Sequence, residues 1–282
     1  MKHLLFLCLI CFCCPVLALS NYAAIDNFAK QMRRLKSTET LEAYTKRLIR
    51  PFKTDEAKAR VILAWIVFNI DYDSYRKEHE KSADIEMELD IQTDPQTGKQ
   101  HVVGAKVKDT TKNMNTVQQT LATRLGLCKD IAKLYQTMGQ YAGLHVEIIT
   151  GFICTQNSDL AGHMWNAVNI DGTWKYVDPT WAVLEKTVTL PTKTRISAQM
   201  KEKAYKKALT KRSLPYSAAQ RPRTNRSVLN EWFFTDGDAM IQTHYPLERR
   251  WQLQKNQIVF EDFLNQSCQM SLDDLLKKAD PE

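Results

Sequence analysis

Glycine and proline are scarce in this sequence, nine of each in 282 residues. That scarcity excludes a collagen-like, linker-dominated or disordered chain. No apolar run reaches membrane length: the longest, residues 4–14, has 11 residues, against about 20 for a spanning helix. Internal repeats and low-complexity tracts are lacking as well. Of seven cysteines, four (Cys8, Cys11, Cys13, Cys14) fall in the first 20 residues, which leaves Cys128, Cys154 and Cys268. Three cysteines cannot build a disulfide framework, so a hydrophobic core must hold the fold. His79, His101, His145, His163 and His244 have no ligand-like pairing in the sequence, so neither a metal nor a cofactor is expected.

What is present is ordinary for a globular protein: 44% hydrophobic and 25% charged residues. Lys2, the apolar run and the following Pro15-Val16-Leu17-Ala18-Leu19-Ser20 read as a signal peptide over residues 1–20. The expectation is an exported protein, periplasmic or secreted, with no transmembrane segment. No lipobox-like small residue precedes the leader cysteines, which argues against a lipid anchor. An odd cysteine count in an oxidising compartment suggests one pair and one free thiol. Cys154 and Cys268 either pair, tying the C-terminal segment to the core, or remain buried free thiols.

Charge is unevenly spread. Residues 182–226 carry twelve Lys/Arg against Glu185 and Glu202, so the rest of the mature chain is net acidic. The stretch 186–226 reads as a solvated surface segment or as a contact for an anionic envelope surface. It has no nucleic-acid-binding motif and little aromatic interleaving, so no specific nucleic-acid partner is expected.

Periodicity predicts two short helices over 21–50, with Ala24, Ile25, Phe28 and Met32 on one apolar face. Thr54-Asp55-Glu56 predicts the start of a helix buried on one side, ending near Asn69. Alternation in 85–91 and 103–108 around Asp94-Pro95-Gln96-Thr97-Gly98 predicts an inserted hairpin. A buried helix is predicted to begin close to Cys128 and end at Gly143, followed by a strand over 145–154. A second hairpin is predicted across Asp171-Gly172. The resulting domains are a leader (1–20), a core with a helical lead-in (21–182), and a basic segment with a C-terminal extension (183–282).

Cys128 falls in the first turn of its helix, where backbone N–H groups and the dipole favour a thiolate. His163 precedes one strand of the second hairpin and Asp178 ends the other, so the carboxylate can orient the imidazole. Alone, each residue reads as core or turn; together they read as nucleophile, general acid/base and orienter.

Gly126-Leu127-Cys128-Lys129-Asp130-Ile131-Ala132, Gly162-His163-Met164-Trp165-Asn166 and Trp174-Lys175-Tyr176-Val177-Asp178-Pro179-Thr180-Trp181 resemble three motifs of the transglutaminase-like superfamily. Residues 65–73 resemble its helix upstream of the nucleophile. Trp232-Phe233-Phe234, His244-Tyr245-Pro246 and Trp251-Gln252-Leu253 resemble the extension of its kyphoscoliosis-peptidase-like branch. The resemblance implies an α+β, papain-like fold, with a nucleophile-bearing helix packed on an antiparallel sheet. It implies a Cys128–His163–Asp178 triad that forms a thioester from protein or peptide amides. Hydrolysis is favoured over cross-linking, and the competing class is an inactive scaffold of the same fold. An oxyanion hole would use the Cys128 N–H and a second donor, Tyr72 or Trp65. Lys129 would favour the thiolate, and Trp165, Trp174 and Trp181 are expected to pack around the triad.

Overall fold

The computed structural model describes residues 22–32, 35, 38–79, 87–107, 114–154, 160–188 and 226–279. The expected leader and residues 189–225 of the basic segment lie outside the described residues. The lead-in forms α1 (Ala23–Gln31) and α2 (Leu41–Ile49), as its periodicity predicts, although Ala24 is exposed. Helix α3 (Asp55–Asn69) starts where the Thr54 hydroxyl accepts from the Ala57 N–H at 3.2 Å. Burial of α3 on one side only is not what forms. Every residue from Ala59 to Val67 is buried, because α1, α2 and the segments 128–141 and 179–188 pack around it.

Arg60 is part of that buried helix, and each nitrogen of its guanidinium has a partner. Nε and Nη2 donate to the two Asp26 carboxylate oxygens at 2.8 Å, and Nη1 donates to the Leu229 carbonyl at 2.9 Å. Nη2 also reaches Asn230 Oδ1 at 2.8 Å, and the guanidinium lies 4.4 Å from the Tyr22 ring centre. A partner on every nitrogen is what makes this buried ion pair tolerable. Here it clamps α1 and α3 to the extension.

A short parallel pair, β1 (Asp71–Tyr72) with β4 (Leu125–Gly126), brings the end of α3 beside the cysteine loop. Between them lie α4 (Ser74–His79), the antiparallel hairpin β2 (Met87–Thr93) and β3 (Gln100–Val107), and α5 (Val117–Thr123). Glu88 faces Lys106, the acidic-to-basic pairing expected. Residues 85, 86 and 108 of the predicted hairpin lie outside the described residues. The hairpin docks on the extension, where the Val102 N–H donates to Glu261 Oε1 at 2.7 Å.

Helix α6 (Cys128–Tyr141) buries Ile131, Leu134, Tyr135 and Met138 against β5 (His145–Cys154) and β6 (Leu160–Ile170). The hairpin from β6 to β7 (Thr173–Val177) turns on Asp171 (φ 51°) and Gly172 (φ 82°), both left-handed as a two-residue hairpin turn requires. Helix α7 (Pro179–Val188) crosses the boundary expected at 182. The extension contributes α8 (Arg226–Glu231), β8 (Phe233–Thr235), α9 (Gly237–Met240), β9 (His244–Pro246), α10 (Phe260–Phe263) and α11 (Leu272–Ala279).

The main sheet runs β8-β7-β6-β5-β9, antiparallel between every pair of neighbours. The class is therefore α+β, with the cysteine helix on an antiparallel sheet. Both edge strands come from the extension. Two further pins hold it: a Cys154–Cys268 disulfide (Cα–Cα 5.3 Å), and the Tyr176 hydroxyl, which donates to the Trp251 carbonyl and accepts from the Leu253 N–H at 3.0 Å. The disulfide closes the alternative of two buried thiols. Cys128 is the free cysteine among the described residues.

Candidate active site

The loop before α6 is fixed by one carboxylate. Asp130 accepts from the backbone N–H of Leu127 (2.9 Å) and of Asn115 (2.8 Å), and from Arg76 Nη1 (2.8 Å). These bonds hold Cys128 as the first residue of α6, at the positive end of the helix dipole. His163 lies inside β6, three residues past its start rather than before it. Met164 follows it; its backbone hydrogen-bonds Cys128, and Cys128, Ala132 and Met164 form a small apolar cluster against which Ile148 packs. Asp178 directly follows β7 and caps α7. Its Oδ1 accepts from the Thr180 (2.8 Å) and Trp181 (2.9 Å) N–H groups.

The three predicted residues converge. His163 Nε2 and Asp178 Oδ2 are 2.7 Å apart, which leaves Nδ1 for the thiol, and the Cys128 side chain is a hydrogen-bond partner of His163. Cys128, His163 and Asp178 are 7%, 3% and 0% exposed. Burial alone would push the Cys128 thiol up, but the hydrogen bond and charge of His163 hold it below its ordinary value. Burial would likewise lower His163, and the charge and hydrogen bond of Asp178 raise it instead, to about 10. Burial opposes ionisation of Asp178, but the two imidazoles bonded to it hold its carboxyl well below the usual range. The combined effect biases Cys128 toward the thiolate and His163 toward the imidazolium, with the Asp178 carboxylate orienting the ring. The cation that acts most strongly on the sulfur is His163; Lys129 is itself buried.

The place of one residue in the site escaped the sequence reading. His244, from β9, places Nε2 3.0 Å from Asp178 Oδ2, and its Nδ1 lies 2.7 Å from the Thr243 hydroxyl. The expectation that no two histidines pair is therefore corrected: His163 and His244 share one carboxylate, their ligand-type atoms all within 4.8 Å of one another. The bonded contacts of 2.7 and 3.0 Å are proton-sharing distances. Atoms about 2.0–2.1 Å from a tetrahedral zinc stand farther apart than this.

Two aromatic expectations separate in the structure. Trp165 stacks on the His163 ring at 5.9 Å and Trp181 lies 6.5 Å from it, but Trp174 packs on Trp251 and His145. Of the two oxyanion donors considered, Trp65 packs on Tyr44 and beneath Arg124. Tyr72, on β1, stands close enough to Cys128 to be affected by its charge. Burial and that charge push the Tyr72 phenol up, so it remains a neutral donor.

A buried cysteine, histidine and aspartate thus meet between a helix and an antiparallel sheet, an arrangement that can activate a cysteine as nucleophile. The chain's resemblances agree: residues 99–179, which contain all three, match the model of the transglutaminase-like superfamily, and this segment is transglutaminase-like. Over 145 residues the chain is 27% identical to hillarin of Drosophila melanogaster, covering 47% of this chain and 14% of that protein. Over 248 residues it is 23% identical to kyphoscoliosis peptidase of Homo sapiens, covering 85% of this chain and 28% of that protein. The chain thus spans well under a third of either relative. A crystal structure of a TGase aligns at a TM-score of 0.30 and 12% identity, over 67% of this chain and 39% of that one. Among the described residues no helix is long and apolar enough to cross a membrane.

Proposed function

We propose that this chain is an exported cysteine-dependent acyl-transfer enzyme acting on amide bonds of protein or peptide substrates, with Cys128, His163 and Asp178 as its catalytic residues. The observation that carries this reading is the buried, hydrogen-bonded relay from the Cys128 side chain through His163 to Asp178. The Cys128 thiolate attacks the amide carbonyl, and the resulting oxyanion takes hydrogen bonds from the Cys128 N–H and the Tyr72 hydroxyl. Protonated His163 gives its proton to the departing amine as the carbon–nitrogen bond breaks, leaving a thioester. Neutral His163 then takes a proton from the acceptor, water or an amine, as it attacks and the thiolate departs.

Water is the favoured acceptor, in keeping with a relative named a peptidase. The Cys154–Cys268 bond supports an oxidising, exported setting, as does the leader pattern. The basic stretch 186–226 is assigned to contact with an anionic envelope surface. In a peptide library read by mass spectrometry, the wild type is expected to cleave amides and Cys128→Ser to lose turnover while keeping its circular dichroism spectrum. Products joined to an added primary amine would move the assignment to transamidation. Binding without turnover would move it to a scaffold.

A further inference from the structure

We propose that the triad is completed by a fourth side chain: His244, delivered by the extension on the sheet's edge strand, is a positioning residue that holds Asp178 in line with His163. This rests on the acyl-transfer reading above. The matched segment ends at residue 179, so His244 lies outside the transglutaminase-like core and reaches Asp178 only because β9 pairs with β5.

The hydrogen bonds dictate the tautomer. A carboxylate only accepts, so at 3.0 Å His244 Nε2 must carry the proton and donate it to Oδ2. Its Nδ1 then presents a lone pair, and the Thr243 hydroxyl donates to it at 2.7 Å. The same hydroxyl is 3.4 Å from the Met240 carbonyl, too long to compete. His244 is 1% exposed, and the rings of Trp165, Trp181 and Trp232 surround it with centroids at 5.1, 4.9 and 5.7 Å. With both nitrogens engaged and no path to solvent, it cannot reach substrate. It can act only through Asp178.

The carboxylate is consequently held at four points: two backbone N–H groups on Oδ1, and two imidazoles on Oδ2. When His163 gives up its proton and its bond to Oδ2 weakens, the His244 donor keeps that oxygen aimed at the imidazole. A mere filler would need the shape of a ring but not its N–H.

The test separates shape from donor. Iodoacetamide labelling of Cys128, followed by peptide mapping from pH 4 to 9, reads the thiolate–imidazolium pair directly. His244→Gln keeps an N–H donor at about the same reach and is expected to label within about threefold of wild type. His244→Phe keeps the ring and loses the donor; labelling at pH 6 is expected to slow ~10–100-fold, with the acid limb moved up by about one pH unit. Thr243→Val frees the tautomer and is expected to shift the acid limb the same way by a smaller amount. A wild-type acid limb in His244→Phe, or equal impairment of His244→Gln and His244→Phe, would overturn the proposal. If His244→Phe does not fold, a wild-type limb in Thr243→Val overturns it. Slow, His163-independent labelling of the wild type would instead defeat the acyl-transfer reading itself.

Discussion

At His244, burial and the charge of His163 both resist protonation. Although bonded to Asp178, the imidazole is held down at about 4 against an ordinary 6.5. Between those values the unfolded chain binds a proton there that the folded chain refuses, so stability must fall as the pH drops. The contribution is fully present above pH 6.5 and is lost toward pH 4, amounting to about 3 kcal/mol. Cys128, ionised more readily when folded, adds a slope of the same sign. Above pH 6.5, the proton that folded His163 keeps, up to about 10, contributes a slope of the opposite sign. Urea unfolding is therefore expected to show wild-type stability rising from pH 4 to 6.5. His244→Gln should rise less steeply, and an identical slope in the two proteins would contradict a neutral, buried His244.

At the scale of elements, the site depends on how closely β9 approaches β5. Gly151 pairs with both His163 and Pro246, and a Cβ there would lie 2.2 Å from the Tyr245 carbonyl oxygen and 2.6 Å from the Trp165 ring. Backbone cannot yield as a flexible side chain does. Gly151→Ala is expected to push β9 outward, costing ~1–3 kcal/mol in urea unfolding and slowing Cys128 labelling. Wild-type values for both would show that β9 does not need this contact. Nothing in His145-Val146-Glu147-Ile148-Ile149-Thr150-Gly151 announces that role. Its strand periodicity was legible, but the partner that gives the glycine meaning lies nearly a hundred residues away. The same holds for α3. Its cap, its length and its apolar spacing were local facts, whereas the Asp26, Leu229 and Asn230 partners of Arg60 were not. A basic residue in a helix reads as its exposed side until its counter-charge is found.

For the molecule as a whole, what was readable lay within short stretches: the cysteine helix, the Asp171-Gly172 hairpin, and three motifs in order, which together placed Cys128, His163 and Asp178. What was not readable is the closure of the sheet. The extension supplies both edges, the Cys154–Cys268 bond spans 114 residues, and His244 meets Asp178 across 66. Such contacts follow from which strands pair, and no periodicity encodes that. The two aromatic neighbours of His163 could be anticipated from sequence proximity; the displacement of Trp174 to the far end of its strand, against Trp251, could not. All of these elements converge on one contact, the hydrogen bond between the Cys128 side chain and His163, which favours the thiolate. The most direct measurement is the second-order rate of iodoacetamide labelling at Cys128 at pH 6, in the wild type and in His163→Ala. Labelling well above the rate of an ordinary peptide thiol, falling about tenfold or more in His163→Ala, is the predicted result. Equal, slow labelling of both proteins would contradict it.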